Sequence, residues 1–162
     1  MNKNKAIFFD RDGVINKERG DYTWKTEDFH LLPEIGKFMV EMKSRGYLII
    51  VITNQGGINK GLFTHEMYLE VEKYMLAKLA VDGVKPDAVY YCPHHPSVSN
   101  CICRKPDSLM VEKAIARFSI DPSRSFFIGD TERDTGAAKK CGVNGILIES
   151  NSPIFSIIEK IA

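Results

Sequence analysis

The chain has 162 residues, 44% apolar and 27% charged, with a formal net charge of +1. That length is expected to form one domain, residues 1–162, with a core large enough to need no disulfide staples. Lysines and arginines are scattered, so no basic footprint for nucleic acid or an anionic membrane surface emerges, and no apolar run is long enough to span a bilayer.

The first apolar run, Ala6–Phe9, is too short for a secretory signal and reads as a buried strand ending at Asp10. A cytoplasmic protein, monomeric by default, is the expectation. Pro33 to Arg45 reads as a helix, with Pro at its first position, Ile35, Phe38, Met39 and Met42 on one face, and Gly46 past its end. Tyr47–Ile52 is a second buried strand. Thr64 is placed to cap the next helix, which runs to about Val81, with Phe63 and Tyr68 spaced as a hydrophobic staple. Ala88–Tyr91 is a third strand and leads into a loop rich in cysteine. A helix through Met110, Ala114, Ile115 and Phe118 follows, then a strand over Ser125–Ile128, a short helix, a strand over Gly145–Ile148 and a last helix after Pro153.

Strands with little alternation, separated by helices, predict an α/β fold: a Rossmann-like parallel sheet with helices on both faces. Ligands of such sheets bind beyond the carboxyl ends of the strands. Asp10 and Asp12, Thr53 and Asn54, and Asp130 all follow a strand's last apolar residue, so three distant loops converge on one edge.

Asp10-Arg11-Asp12-Gly13 sets two carboxylates two residues apart, and Asp130 brings a third from another strand. Crowded acids raise a pKa or recruit a cation, and an all-oxygen set suits magnesium. Thr53 and Asn54 offer a hydroxyl, an amide and backbone N–H groups to phosphate oxygens, and Lys105 in Arg104-Lys105-Pro106 adds fixed positive charge. Each motif alone would read as an ordinary turn, cap or surface pair.

In order and type the four motifs resemble the haloacid dehalogenase (HAD) superfamily of phosphohydrolases: D-x-D-G-V, T-N, the lysine of R-K-P, and G-D-x-x-x-D, from about Lys5 to Ile148. The resemblance implies that Asp10 is the nucleophile that forms a phospho-aspartate and Asp12 the general acid and base. It implies magnesium held by Asp10, the Asp12 backbone carbonyl and Asp130, with Asp134 orienting that shell. Thr53, Asn54, Gln55, Arg104 and Lys105 would bind the phosphorylated small-molecule substrate.

The cysteine loop narrows the resemblance. Cys92, His94, Cys101 and Cys103 make a complete tetrahedral zinc set with no vacant position, which is the mark of a structural site; His95 is the rival for the fourth place. Cys141 stands apart and reads as a small buried apolar residue. The Cys-Pro-His-His-Pro and Cys-x-Cys-Arg-Lys-Pro strings look like the branch of heptose-bisphosphate and histidinol-phosphate phosphatases, which lacks a separate cap domain. In that branch the loops at 16–30 and 55–63 and the zinc loop would form the rim. Relatives often carry lysine where this chain has Thr131, and the stretch Pro96–Asn100 is short for the loop. Those two departures bear on the substrate. A descendant without catalysis, binding a phosphorylated ligand on a zinc-stabilised loop, is the alternative of another class; it would have no chemical need for both Asp10 and Asp12.

Overall fold

Alternate residues of the central strands point to opposite sides of the sheet, and here both sides are apolar. The computed structural model describes residues 3–161. Its sheet holds five parallel strands, β1 (Lys5–Phe9), β2 (Tyr47–Asn54), β3 (Ala88–Cys92), β4 (Phe126–Gly129) and β5 (Asn144–Leu147), in the order β3-β2-β1-β4-β5. Ile7, Phe9, Ile49 and Val51 enter one core; Ala6, Phe8, Ile50 and Ile52 enter the other. Helices α1 (Ile35–Ser44) and α2 (His65–Val81) cover the first face through Phe38, Met39, Met42, Val71, Met75 and Leu79. Helices α3 (Leu109–Phe118) and α4 (Glu132–Lys140) cover the second through Met110, Val111, Ala114, Ala137 and Ala138. Continuous burial on two faces is why the strands lack alternation.

The chain steps from β1 to β2 to β3 in one direction, then places β4 and β5 on the far side of β1. Strand order therefore reverses between β1 and β4, and a crevice opens beyond their carboxyl ends. Phe9 lies opposite Ile128, and the Asp10 N–H donates to the Ile128 carbonyl at 3.0 Å. The register delivers Asp10 and Asp130 side by side to that crevice.

The local rules hold with some exceptions. The Thr64 hydroxyl accepts from the Met67 N–H at 3.2 Å, as a cap should, and Gly46 follows α1 with a φ of +85°. Pro33, however, lies outside α1. Glu34 is left-handed (φ 64°) and the Ile35 N–H bonds the Leu32 carbonyl at 3.4 Å, so Pro33 starts a tight turn and the helix begins at Ile35. At the start of α2, Phe63 stacks on Trp24, and the Tyr68 ring lies tilted against Tyr91. Thr53, Asn54 and Cys92 are the last residues of their strands rather than loop residues, and Ile154–Lys160 is a 3-10 helix. Among the described residues no helix is long and apolar enough to cross a membrane.

Candidate active site

The centre of the site is a buried ion pair. The Lys105 Nζ donates to Asp10 Oδ1 at 2.7 Å, to the Ile52 carbonyl at 2.8 Å, and meets Asp134 Oδ1 at 2.6 Å. Three acceptors match the three N–H bonds of an ammonium. Lys105 is 2% exposed and Asp134 1%, so pairing and hydrogen bonding must hold their charges inside the protein. Burial lowers the Lys105 pKa, but Asp10 and Asp134 more than offset it and the net movement is upward. Burial pushes the Asp10 carboxyl up to about 7; Lys105 opposes that rise and the Asp134 charge adds to it.

Asp134 is fully engaged. Its Oδ2 accepts from the Thr131 N–H (3.1 Å) and hydroxyl (2.8 Å), closing a capping box at the start of α4. Asp10 Oδ2 and the Asp130 carboxylate, by contrast, accept no hydrogen bond from any described residue. One carboxylate oxygen from each of Asp10, Asp130 and Asp134 lies within 4.8 Å of the others, and the free oxygens of Asp10 and Asp130 suit a hard cation. Gly13 permits this closeness: it has a φ of +88°, and a side chain there would run into Asp130.

Asp12 sits in a cradle that the sequence motif does not reveal. Its Oδ1 accepts from Arg11 (Nη2, 3.0 Å) and Asn16 (Nδ2, 2.9 Å), and its Oδ2 from Gln55 (Nε2, 3.1 Å). Arg11 is 1% exposed; it also donates to the Thr23 carbonyl at 2.9 Å and lies 5.8 Å from the Tyr68 ring. The one available signal for Arg11 was its position between two acids, which reads equally well as a surface salt bridge.

The expected phosphate-binding residues divide. Asn54, Arg104 and Lys105 line a cavity of about 680 Å³ with Asp10, Asp12 and Asp130. The Asn54 amide grips the Lys105 peptide from both sides, accepting from its N–H at 3.0 Å and donating to its carbonyl at 3.2 Å. Thr53 and Gln55 are buried, and Gln55 bridges Thr53 Oγ1 (2.9 Å) and Asp12. The placement of Gln55 on the rim is therefore corrected: packing turns its amide inward, behind Asp12. Arg104 donates to the His94 carbonyl at 3.1 Å, across Gly56, where an added Cβ would meet Arg104 Nη1 at 3.0 Å.

The second donor cluster lies at the end of β3. The Sγ atoms of Cys92, Cys101 and Cys103 and a ring nitrogen of His94 lie within 4.8 Å of one another. Separations of 3.7 Å (Cys92–Cys101), 3.7 Å (Cys92–His94) and 3.3 Å (His94–Cys103) match the edges of one tetrahedral site, with Cys92–Cys103 closer at 2.9 Å. His95 turns the other way: it lines the cavity and its Nδ1 bonds the Ser97 hydroxyl at 2.7 Å. The geometry thus chooses His94. Cys141 packs against the second core but is half-buried rather than buried.

Residues 102–153 match the HAD-hydrolase-like family. The sequence is 38% identical over 97% of this chain to the D-glycero-beta-D-manno-heptose-1,7-bisphosphate 7-phosphatase of Photorhabdus laumondii, covering 87% of that protein. The protein of the same name from Haemophilus influenzae is 36% identical over 98% of this chain and 89% of its own. A D,D-heptose 1,7-bisphosphate phosphatase from B. bronchiseptica, solved with magnesium and phosphate, superposes with a TM-score of 0.85 at 29% identity, over 90% of this chain and 81% of that one. The fold and site are those of a HAD-type phosphatase, and within that class the chain belongs to the family of the heptose-1,7-bisphosphate 7-phosphatases.

Proposed function

We propose that this protein hydrolyses the 7-phosphate of D-glycero-β-D-manno-heptose 1,7-bisphosphate through a phospho-aspartate on Asp10. The observation that carries this reading is the asymmetry of Asp10: Lys105 fixes Oδ1, while Oδ2 stays without a partner next to Asp130 and inside the cavity. A fixed carboxylate with one free oxygen is a positioned nucleophile. The relatives supply the substrate, since each is named for that sugar bisphosphate.

In the first step an Asp10 oxygen bonds to phosphorus as the bond from phosphorus to the sugar oxygen breaks, and Asp12 delivers a proton to the departing alkoxide. In the second a water attacks the acyl phosphate, Asp12 takes its proton, and Asp10 is restored with release of phosphate. Arg11, Asn16 and Gln55 hold Asp12 in direction for both transfers. Magnesium held by Asp10, the Asp12 carbonyl and Asp130 would neutralise phosphoryl charge. Lys105 and the turn after Asn54 serve the same charge from the other loops. Zinc held by Cys92, His94, Cys101 and Cys103 would fill a closed structural site whose last ligand lies two residues from Lys105.

The test is phosphate release from heptose 1,7-bisphosphate, heptose 7-phosphate and histidinol phosphate, each with magnesium and after chelation. The bisphosphate should show the highest kcat/KM, by about tenfold or more, leave the 1-phosphate on the sugar, and require magnesium. Faster hydrolysis of histidinol phosphate would move the assignment to the neighbouring activity.

A further inference from the structure

The cavity has three cations on its wall in different states. Lys105 is neutralised by Asp10 and Asp134. Arg104 touches only a carbonyl, that of His94, at 3.1 Å. Arg133 makes no hydrogen bond or ion pair with any described residue. It lines both the main cavity of about 680 Å³ and an adjoining groove of about 440 Å³, and the two also share His95, Arg104 and Lys105. Arg104 and Arg133 therefore stand where the two spaces meet, with their charges uncompensated.

Local structure gives no reason for an arginine at this place. Arg133 is the second residue of α4, where the helix dipole favours acids, and Glu132 and Asp134 on either side obey that preference. The N-cap, Thr131, carries no charge, so the α4 side of the cavity has no cation ahead of Arg133. An exposed cation that opposes the dipole, has no hydrogen-bonding or ionic partner among the described residues and lines a cavity suits an anion that arrives from outside.

We infer that Arg133 is a specificity-determining residue that binds the phosphate of the substrate that is not transferred. The inference rests on the bisphosphate reading above. The reacting phosphate must lie against Asp10, whose neighbourhood is already furnished by Lys105 and Asp130. The distal phosphate carries close to two negative charges, more than Arg104 alone can neutralise. A guanidinium offers the paired N–H donors that fit phosphate oxygens, and Arg133 reaches the junction from a helix while Arg104 reaches it from the cysteine loop.

The experiment compares kcat and KM for heptose 1,7-bisphosphate and heptose 7-phosphate in the wild type, Arg133→Ala and Arg133→Lys. Arg133→Ala should lower the bisphosphate-to-monophosphate ratio of kcat/KM by tenfold or more, mainly through KM for the bisphosphate. Arg133→Lys should recover part of that ratio, since it restores the charge without the planar fork. Raising the salt should narrow the gap between wild type and Arg133→Ala. An unchanged ratio, or an equal loss on both substrates, overturns the role of Arg133 and leaves the assigned activity standing. A wild type that does not hydrolyse the bisphosphate overturns that activity, and this inference with it.

Discussion

The carboxylate centre and the cysteine cluster meet at a short seam, since Cys103 and Lys105 are separated only by Arg104, yet they solve opposite problems. Around Asp10 the donors are hard oxygens from the end of β1 and from the segment joining β4 to α4, one lysine balances two carboxylates, and Asp10 and Asp130 keep oxygens free for what binds. Around Cys92 the donors are three sulfurs and one nitrogen, enough to close a tetrahedron and leave nothing for a substrate. An open site must spend part of its structure on groups that wait for a partner, and its charges stay poorly compensated until the partner comes. A closed site holds its loop in place. Because the loop carries Arg104 and Lys105, a metal on the four donors would also set the geometry of the open site.

The comparison predicts that the two centres fail differently. Asp10→Asn should abolish turnover by at least about a thousandfold, because an amide does not form the acyl phosphate. The protein should stay folded and keep its zinc. Near-normal turnover, or loss of zinc in that variant, would break the separation of roles.

Cys101→Ser attacks the other centre and should produce a mixed phenotype. Elemental analysis should find about one zinc per chain in the wild type and little in the variant, with several kcal/mol less stability and a melting point lower by roughly 10 °C. Activity should fall as well, by about tenfold, because the backbone that delivers Lys105 loses its anchor. Full activity without zinc would show that the Asn54 grip on the Lys105 peptide is sufficient by itself.

The smallest effect concerns acidity. A carboxyl raised from 3.8 to about 7 on folding binds its proton more tightly in the folded chain. That stabilisation is complete below the unfolded value and is lost as the pH climbs through about 7. Without magnesium, the melting temperature of the wild type should therefore drop between pH 6 and pH 8, by a few degrees, and that of Asp10→Asn should drop less. Added magnesium should stabilise the wild type more at pH 8 than at pH 6, since the cation and the proton compete for one carboxylate. Equal pH dependence in the two proteins would place the titrating group elsewhere.

The sequence by itself determined the layers of this fold and the edge on which its chemistry falls. Runs such as Ala6–Phe9 and Tyr47–Ile52 are apolar on both faces, and only a sheet covered twice can bury them. Because each run ends at an acid or a polar pair, the positions of Asp10, Asn54 and Asp130 were legible before any coordinates. The cysteine spacing marked the four donors that cluster at the end of β3 for the same reason: donor chemistry is a property of residue type. Tertiary structure decided where side chains in the loops point. Gln55 turned inward to Asp12, Arg11 was buried between Asp12 and the Thr23 carbonyl, and Asn54 went to the Lys105 backbone. His94 rather than His95 faced the sulfurs, and Arg133 opened onto the cavity. Strand periodicity fixes direction to one of two faces, whereas a loop side chain takes its direction from the elements packed around it, and these are brought together by contacts distant in sequence.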